Sequence, residues 1–529
     1  MSTPLLRTEV LVVGAGPTGL MAGNWLEKLG VHSMVIDGKS GPTRESRALG
    51  IHSRTMEIYR QLGVVDRVLE RAVLAAEVRP GIGSRPLEAI PLGRLGHRLT
   101  KYPGLHVLEQ SANEEILAER LRDRGCPVWW NHAFVSLDHR SDDGWVSVEA
   151  EGPAGRVRIL ARYVVGADGA SSPVRRALGI DFKGATSAQV FYVVDANGVT
   201  GSDPSINVRV SGENFMLGFP MGPDGAGGQR VRLLGIVRQE YGAGEGIGEG
   251  SSAVDERRAR ATLETEFGIS YTDSEWFTTY RVHHRVADAF RGGRVFLAGD
   301  AAHIHSPVGA QGMNTGLQDS HNLACKLADV LNGRMPAGYL DRYEAERRPV
   351  ALRLVSTTDR VFTAVTSMTR PARILRTVVL PLVWPVAIRL VPRSPAGGRM
   401  FGYLSQTRIH YWMSDADRQA ADATRGLARW TRRGKLLGRR LPWVSGAGAE
   451  HDNHAALASA TWQVHAYGTS AVALGGVVAG RYGLVLHEFG AAPDKHLPDG
   501  TVVVVRPDGF VAEVRDAVGT RAAKGRGLI

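Results

Sequence analysis

The chain has 529 residues, which is beyond the size at which one hydrophobic core stops growing, so we expect two to four domains and room for a large ligand. Hydrophobic residues make up 43% and charged residues 22% of the chain, which is ordinary for a globular protein and excludes a disordered one. The formal charge of +11 comes mostly from arginines that are scattered along the chain. A nucleic-acid binder would concentrate them in one basic patch, so we predict that nucleic acid is not a partner.

Cysteine usage and the first residues bear on the compartment. Two cysteines, Cys126 and Cys325, lie far apart in the sequence and show no ligand spacing. We therefore predict neither a disulfide framework nor a metal site. The chain opens with a short apolar run that passes into a Gly-rich turn without a basic leader, and together with the cysteine usage this favours a cytoplasmic location.

One apolar segment, 378–388 (VVLPLVWPVAI), needs a check against membrane spans. It is interrupted by Pro381 and Pro385 and is too short for a hydrocarbon core that requires about 20 residues. We predict no transmembrane segment and interpret 378–388 as buried or interdomain. Contact with a membrane surface is the alternative.

The first predicted elements are a strand, a helix and a second strand. Residues 9–13 predict a short apolar strand, the turn GAGPTG follows, and apolar residues recur at helical spacing from Leu20 to Leu29. Residues 31–37 predict the second strand. The chain therefore begins with a βαβ unit.

The next stretches alternate between helix and irregular structure. Residues 43–75 contain a helical pattern, whereas 80–103 are rich in Gly and Pro and indicate loops or irregular strands. Residues 114–124 predict a helix. An alternating pattern that begins at 128–130 predicts a meander of strands that returns to the main sheet.

An inserted second domain is predicted after this meander. Residues 186–240 hold strand-like pieces separated by Gly, Pro and Asp turns, which indicates an antiparallel sheet. A helix at 256–267 and a strand at 276–285 complete the insert.

The remaining elements return to the first domain and then begin a third. Residues 294–298 predict an apolar strand and 316–331 a long helix. After residue 398 new strand patterns appear, so a C-terminal domain is expected to begin between 405 and 435.

The turn in the first βαβ unit has the composition of a dinucleotide site. Gly14 permits the tight turn, Gly16 lets a pyrophosphate approach the backbone, and Gly19 lets the helix pack closely on the strand. Asp37, at the end of the second strand, can accept ribose hydroxyls. The motif does not choose between FAD and NAD(P). The cofactor-binding residues predicted here are Gly14, Gly16, Pro17, Thr18, Gly19 and Asp37.

Two later stretches make that choice. YVVGADGASSPVRR at 163–176 and FLAGDAAHIHSPVGAQGMNTGLQD at 296–319 each run from an apolar strand into an Asp-Gly or Gly-Asp pair. Together with GAGPTG, and in this order, they resemble the group-A, single-component FAD-dependent aromatic hydroxylases, which include p-hydroxybenzoate hydroxylase. LGRRLPW at 437–443 and VVRPDGFVA at 504–512 resemble the subgroup of phenol and aromatic-polyketide hydroxylases that has a thioredoxin-like C-terminal domain.

The resemblance implies an α/β fold with a Rossmann-like FAD-binding domain, an inserted antiparallel-sheet substrate domain and a thioredoxin-like C-terminal domain. The C-terminal domain contains no cysteine, so we expect it to serve packing or oligomerisation and not thiol redox chemistry. The implied division is 1–78, 105–184 and 286–400 for the FAD-binding domain with its linking helices, 79–104 and 185–285 for the substrate domain, and 401–529 for the C-terminal domain.

The resemblance also implies residue roles around FAD. Asp300 binds the ribityl chain, the loop from Pro307 to Gly312 lies against the flavin ring, and the helix that follows directs its N-terminal N–H groups at the ring, where they favour negative charge. Small residues in the loop allow the backbone to touch a flat ring. The implied contacts outside the first turn are Arg47 and Asp168 at the diphosphate, Gln110 near the ribityl chain, and Asp300, Pro307, Gly309, Gly312, Met313 and Asn314.

The implied activity is hydroxylation of an electron-rich aromatic substrate, phenolic or polycyclic and polyketide-like, with O2 and NAD(P)H through a flavin C4a-hydroperoxide. NADPH or NADH is expected to dock only transiently, because the sequence has no second nucleotide fingerprint. We expect a monomer or a homodimer.

A base that deprotonates the substrate hydroxyl is expected on the inserted sheet. The sequence offers the candidates Tyr192, Tyr280, His283 and His284, and singles out none of them. His303 and His305 are interpreted as shaping the flavin loop. The residues that we predict to line the pocket, with core packing as the alternative, are Phe215, Met216, Phe219 and Met221.

Three alternatives stay open at this point. A Baeyer–Villiger or epoxidising relative would use the same fold and cofactor. A flavin-dependent halogenase is disfavoured, because the sequence lacks a WxWxIP stretch. A non-catalytic flavoprotein that binds a ligand would show no ligand-stimulated oxidation of NADPH.

Overall fold

The computed structural model of the chain describes residues 5–43, 48–139, 144–212, 214–236, 255–305, 309–366, 379–391, 394–414, 436–446 and 452–516, together with the single residues 374 and 419. Within these ranges the strands form four sheets. Two of them position the site, one belongs to the C-terminal part, and a small one connects the first two.

The strand bounds follow the alternating and apolar runs of the sequence. In chain order the strands of the described residues are β1 (Leu5–Val13), β2 (Ser33–Ile36), β3 (Gly50–Ile51), β4 (Val73–Ala75), β5 (Glu77–Ile82), β6 (Arg85–Pro86), β7 (Ile90–Pro91), β8 (Leu105–Val107), β9 (Ala133–Asp138), β10 (Val146–Gly152), β11 (Gly155–Gly166), β12 (Phe182–Asn197), β13 (Ile206–Val210), β14 (Phe215–Pro223), β15 (Gln229–Ile236), β16 (Asp273–Ala287), β17 (Arg291–Gly292), β18 (Val295–Leu297), β19 (His303–Ile304), β20 (Gln463–Tyr467), β21 (Val485–Phe489), β22 (Thr501–Val505) and β23 (Val511–Asp516).

The helices occupy the periodic segments between these strands. In chain order they are α1 (Pro17–Lys28), α2 (Ser53–Leu62), α3 (Val65–Arg71), α4 (Leu92–Gly96), α5 (Gln110–Asp123), α6 (Pro173–Ala177), α7 (Glu256–Phe267), α8 (Gly312–Leu331), α9 (Asp341–Thr366), α10 (Leu380–Leu390), α11 (Pro395–Leu404) and α12 (Val472–Tyr482). Proline suits the first turn of α1, because that turn has no intrahelical acceptor for its N–H groups. Helices α5 and α8 begin four residues before the predicted starts.

The first sheet has the strand order β17-β18-β11-β1-β2, with β10 antiparallel to β11 and β9 antiparallel to β10. Strands β18, β11, β1 and β2 are parallel, and the centre of β1 is fully buried, because helices cover such a sheet. In the register, Val13 pairs with Gly166 and Gly166 pairs with Leu297. Three strands therefore end side by side, each immediately before one of the three sequence motifs.

The second sheet has the order β19-β16-β12-β15-β14-β13-β5-β6, with β7 paired to β5. Its register separates two faces: Phe191 pairs with Ile236 and Tyr280, whereas its neighbour Tyr192 points the other way. Helix α7 covers what we call the outer face, which carries Tyr192, Val194, Met216, Val231 and Leu233. The opposite, inner face carries Phe191, Val193, Asp195, Phe215, Leu217, Phe219, Arg232, Leu234, Trp276 and Tyr280.

The inner face packs against the small sheet β3-β8-β4 and against α4 and α11. This apolar cluster includes Leu49, Leu105 and Val107 from the side of the first sheet and Phe401 from α11. The second sheet is thus joined to the FAD-side elements by a continuous apolar contact.

The C-terminal sheet has the order β21-β20-β22-β23. Strands β20 and β21 are parallel and α12 connects them, while β22 and β23 are antiparallel to their neighbours. The thioredoxin-like assignment and the domain limits remain predictions.

Helix α10 corrects one expectation from the sequence. Leu382 is 75% exposed and Leu390 62%, while Ile388 is buried and Trp384 donates a hydrogen bond to the carbonyl oxygen of Glu88 at 2.8 Å. The prediction that 378–388 is buried was therefore wrong for one side of the helix. The helix is apolar on all sides, but only one side of it packs against other elements. Among the described residues, none of the helices combines the length and apolarity that a membrane span requires.

Candidate active site

The turn between β1 and α1 has the geometry that its three glycines predict. Gly14 has φ +104°, and a Cβ there would collide with the carbonyl oxygen of Ala167. A Cβ on Gly19 would collide with the carbonyl oxygen of Gly14, whereas one on Gly16 would meet no atom within 4 Å. Gly14 and Gly19 are therefore needed for the protein's own packing, and Gly16 leaves open space beside the start of α1.

The first turn of α1 presents backbone N–H groups toward that space. Gly16 is the N-cap and supplies no side-chain cap, so the N–H groups at this end can serve an anion. Asp37 lies beside them and accepts hydrogen bonds from the N–H groups of Ala15 at 2.6 Å and Lys39 at 2.8 Å. Asp37 thus shapes the turn from the position that the sequence predicts.

The second motif, Asp168-Gly169, follows β11 and is tied to the third. Arg175 donates to the carbonyl oxygen of Ala301 at 2.8 Å and to that of Ala170 at the same distance. Asp168 accepts from the Val174 N–H at 2.9 Å, and burial raises the pKa of Asp168 against the lowering effect of these hydrogen bonds. The segments that contain Asp168 and Asp300 are therefore held together by one arginine.

The third motif touches the first. Gly299, Thr18 and Gly316 lie so close that a Cβ on either glycine would collide with the Thr18 hydroxyl. The Gly299–Ala301 segment is a 3-10 turn, and Asp300 is exposed on it. The structure thus brings α1, the Gly-Asp turn and α8 together, as predicted.

The loop before α8 is held from the far side by the predicted residue Asn314 and by His52, which sequence reasoning missed. The Asn314 amide donates to the carbonyl oxygens of Gly50 at 2.7 Å and Ala310 at 2.9 Å, and its oxygen accepts from the His52 N–H. The His52 ring contacts the Gly309 carbonyl oxygen at 2.8 Å. Burial lowers the pKa of His52 to about 4, so the ring is neutral at pH 7 and donates this hydrogen bond from Nε2.

The positions of the other predicted contacts differ. Gln110 opens α5 and donates to Glu114 at 2.9 Å, half-buried near the small sheet. Gly312 and Met313 form the first turn of α8, and its N-cap Gln311 makes no side-chain cap. Arg47 and Pro307 lie outside the described residues, so their predicted roles remain predictions.

The base and pocket candidates are divided between the two faces of the second sheet. Tyr192 and Met216 are on the outer face in the core beneath α7, and burial raises the Tyr192 pKa strongly, so both have a core environment. His283 contacts the Thr186 hydroxyl at 2.8 Å, away from the cluster. The candidates that belong to the inner face or its cluster are Tyr280, Phe215, Phe219 and Met221.

A buried ion pair on the inner face, between Arg232 and Asp195, had no signal in the sequence. Arg232 donates twice to Asp195, with both nitrogen–oxygen distances at 2.5 Å, and its guanidinium lies 5.3 Å from the centre of the Trp276 ring. The base candidate His284 is buried on β16, where it pairs with Ala185 of β12. Alternation along β15 and β16 could have placed Arg232 and Trp276 on one face, but pairing them needed the strand order.

The residues present fit FAD. Two uncapped helix starts, α1 and α8, and an exposed carboxylate at Asp300 meet at one edge of the parallel sheet. Open space above Gly16 suits a diphosphate, which helix N-termini bind through backbone N–H groups. The turn at Gly299–Ala301 contacts Thr18 of α1, and Ala310 of the loop lies next to Gly50, which also contacts Leu105 of the inner-face cluster.

Known proteins agree with this geometry. Residues 7–358 match the family described as the FAD binding domain. The chain is 34% identical to a 6-methylpretetramide 4-monooxygenase from Streptomyces rimosus over 79% of this chain and 72% of that protein, and 35% identical to a rifampicin monooxygenase from Streptomyces venezuelae over 66% and 70%. A solved aromatic hydroxylase from angucycline biosynthesis has a TM-score of 0.74 at 29% identity, covering 98% of this chain and 97% of that one.

These matches confirm the resemblance, the fold class, and FAD as the cofactor. They also exclude the hypothesis of a protein that binds FAD without catalysis, since the named relatives are monooxygenases. With three motifs meeting at one sheet edge and more than half of its length matched, this chain belongs to the FAD-binding-domain family and is an FAD-dependent monooxygenase.

Proposed function

We propose that this monooxygenase hydroxylates a polycyclic aromatic substrate of the polyketide type. The named relatives act on 6-methylpretetramide and on rifampicin, and a solved relative comes from angucycline biosynthesis. The observation that carries the proposal is the large apolar and aromatic inner face, which reaches the flavin loop.

The contact between the inner face and the flavin loop runs through Gly50. A Cβ on Gly50 would lie 2.7 Å from the Cβ of Ala310 and 3.2 Å from a methyl carbon of Leu105, which belongs to the inner-face cluster. The flavin loop and the aromatic side chains are therefore neighbours. Such a surface suits fused rings, because burial of apolar area contributes about 25 cal/mol per Å2.

Bound FAD supplies the redox chemistry with O2, after reduction by NADPH or NADH that docks transiently. The chain's own share is to bind and orient both partners and to exclude water. On the inner face, Phe219, Leu234 and Trp276 offer the ring-binding surface, and the Arg232–Asp195 pair offers polar groups beside it.

Tyr280 is the base candidate that packs against the inner-face cluster. Its ring stacks on Phe191 with centroids 5.7 Å apart, and burial raises the Tyr280 pKa. A tyrosine with a raised pKa stays protonated at pH 7, so we propose that Tyr280 orients a substrate oxygen by hydrogen bonding instead of removing its proton. A monomer or homodimer in the cytoplasm stays part of this proposal.

Substrate-stimulated oxidation of NAD(P)H, followed by mass and NMR analysis of products made with labelled O2, tests the proposal. We expect fused-ring phenols to stimulate oxidation more than single-ring phenols, and one labelled oxygen to appear as a ring hydroxyl. A ring-expanded lactone or an epoxide would show Baeyer–Villiger or epoxidising chemistry and would contradict hydroxylation.

A matched pair of variants tests the surface itself. Phe219→Ala, on the inner face, is expected to raise the KM for a fused-ring substrate about tenfold, as loss of a buried aromatic contact does. Phe277→Ala, packed toward the outer-face core, is the control and should leave that KM near the wild-type value. Equal effects of the two variants would contradict binding at the inner face.

A further inference from the structure

The backbone of the turn that carries Asp300 is held by a buried carboxylate on α8. The Gly299 N–H donates to Oδ2 of Asp319 at 3.2 Å, and Nε2 of His303 contacts the same oxygen at 2.7 Å. Asp319 is fully buried. Both ends of the short segment that presents Asp300 are therefore attached to one side chain that does not itself face the flavin loop.

The other oxygen of Asp319 continues the network away from the turn. Arg347 of α9 donates from Nε to Oδ1 of Asp319 at 2.6 Å and from Nη1 to the Tyr411 hydroxyl at 2.8 Å. Burial by itself would raise the pKa of Asp319, but the charges of Arg347 and His303 outweigh it and lower that pKa. Asp319 is thus an ionised, fully bonded carboxylate in a dry interior.

Tyr411 connects this network to the C-terminal domain. Its ring stacks on Phe510 with centroids 4.2 Å apart, and its backbone N–H donates to Gly438 at 2.8 Å. Phe510 belongs to the turn between β22 and β23, which also contains Arg506 and Asp508.

The turn between β22 and β23 also binds the two helices of the network, α8 and α9. Arg506 donates to both oxygens of Glu346 on α9, at 2.7 and 2.9 Å, and Asp508 accepts from Asn322 on α8 at 3.2 Å. All four side chains are at most 3% exposed. The C-terminal domain therefore contacts α8 at Asn322, one turn from Asp319, and α9 at Glu346, next to Arg347.

We propose that Asp319 is a positioning residue for the flavin, and that the C-terminal domain supports it through Tyr411 and Arg347. Asp319 acts through the Gly299–Ala301 backbone and not by touching the cofactor. This assigns a task in the oxygenase reaction to a domain without cysteines. The inference rests on the predicted contact of Asp300 with FAD.

The charge-removing, nearly isosteric variant Asp319→Asn tests the first step. We expect it to weaken FAD binding in the holoenzyme about tenfold, since loss of a buried ionic acceptor leaves the Gly299 N–H and Arg347 poorly paired. We also expect a displaced visible flavin band and a shifted flavin reduction potential, neither of which a loss of stability alone would produce.

Tyr411→Phe tests the connection to the C-terminal domain. It removes only the hydroxyl that Arg347 binds and keeps the ring on Phe510, so the displacement of the flavin band should have the same direction and a smaller size. The double variant should bind FAD no worse than Asp319→Asn, because both changes interrupt one network. If Asp319→Asn fails to fold, Tyr411→Phe by itself decides the outcome.

Tyr467→Phe is the matched control. Tyr467 is a fully buried C-terminal tyrosine whose hydroxyl accepts from Asn453 at 2.8 Å, outside the network. It should lower thermal stability while the FAD affinity, band and potential stay at wild-type values. The proposal is overturned if Asp319→Asn and Tyr411→Phe change stability alone, or if Tyr467→Phe shifts the flavin equally.

Asp300→Ala separates this inference from the role of Asp300. It is expected to purify with little or no yellow colour. Full retention of flavin in Asp300→Ala would contradict the assigned contact, whereas wild-type flavin properties in Asp319→Asn would contradict the positioning role alone.

Discussion

The cofactor edge of the first sheet and the interface with the C-terminal domain are built by opposite means. At the cofactor edge, Gly14, Gly16 and Gly19 remove side chains so that backbone groups can approach one another and a ligand. At the interface, Glu57 accepts from Arg440 at 2.7 Å and from Thr100 at 2.8 Å, all buried. The cofactor edge depends on the absence of side-chain atoms, and the interface depends on buried charges that are paired.

This difference teaches where each region is fragile. A buried ion pair is costly to desolvate and holds only if its bonds are complete, so losing one partner is more damaging than the pair is stabilising. A glycine turn fails when any atom is added where two backbones meet. The pKa of Glu57 shows this balance: burial raises it, but Arg440, His454 and Arg54 outweigh burial and lower it.

The largest expected effect is the difference between substitutions at Gly19 and Gly16, two glycines of the same turn. Gly19→Ala places a methyl group against the Gly14 carbonyl oxygen and should abolish flavin binding and lower the melting temperature of the protein. Gly16→Ala adds its methyl to open space, so the melting temperature without added FAD should stay near wild type while FAD affinity falls. Equal melting temperatures for the two variants would contradict the division between packing and ligand space.

The second prediction concerns a substitution that disrupts the charged interface with the C-terminal domain. Glu57→Gln leaves Arg440 and Arg54 without a full negative partner and should lower the free energy of unfolding by roughly 3 kcal/mol, measured by urea denaturation. The control Glu115→Gln breaks the exposed pair with Arg71 and should cost less than about 1 kcal/mol. A larger loss from the exposed pair would reverse the comparison.

The third prediction concerns pH at the flavin loop. The folded-state pKa of His52 is about 4, below its value of 6.5 when unfolded, so between these values the unfolded chain binds the extra proton. The contribution of His52 is therefore complete above pH 6.5 and is lost as pH falls toward 4, by about 3 kcal/mol in total. Urea denaturation at pH 7 and pH 5 measures this loss.

His52→Gln is expected to lose less stability than wild type between the two pH values. His97→Gln, which changes an exposed ring, is the control and should retain the wild-type difference. If His52→Gln and His97→Gln respond to pH identically, the buried neutral ring is not the origin of the effect.

The smallest expected effect is at Ala310, which has φ +52° in the flavin loop. A left-handed conformation costs a residue with a Cβ roughly 1 kcal/mol relative to glycine, so Ala310→Gly should raise the free energy of unfolding by up to about that amount. Ala118→Gly, in the middle of α5, should lower it by 0.5–1 kcal/mol, roughly the usual penalty for glycine in a helix. Thermal unfolding of both holoproteins shows whether each substitution raises or lowers stability. If Ala310→Gly destabilises the protein, the contact of the Ala310 Cβ near Gly50 contributes more than the backbone strain costs.

Local sequence patterns were sufficient to predict those features that are formed by consecutive residues. The βαβ turn, the Asp168 and Asp300 motifs and α7 at 256–267 follow from short stretches whose spacing is set by backbone geometry. The base candidates were less tractable, because Tyr192 and Tyr280 differ only in which side of a sheet they occupy, and that depends on the register of β12 with β16. The exposure of α10 likewise depended on which side of the helix packs against other elements, and the sequence does not show this.

The amino-acid sequence by itself determined the dinucleotide-binding turn and the order of the motifs, since such a turn is formed by adjacent residues. FAD and the reaction class followed from the family resemblance that the three motifs carry together. Only the tertiary structure decided the pairs that join distant segments, such as Glu57 with Arg440, Asp195 with Arg232 and Asp319 with Arg347. Charged residues at such separations carry no periodic signal, because their partners are selected by burial in the folded chain and not by spacing along it.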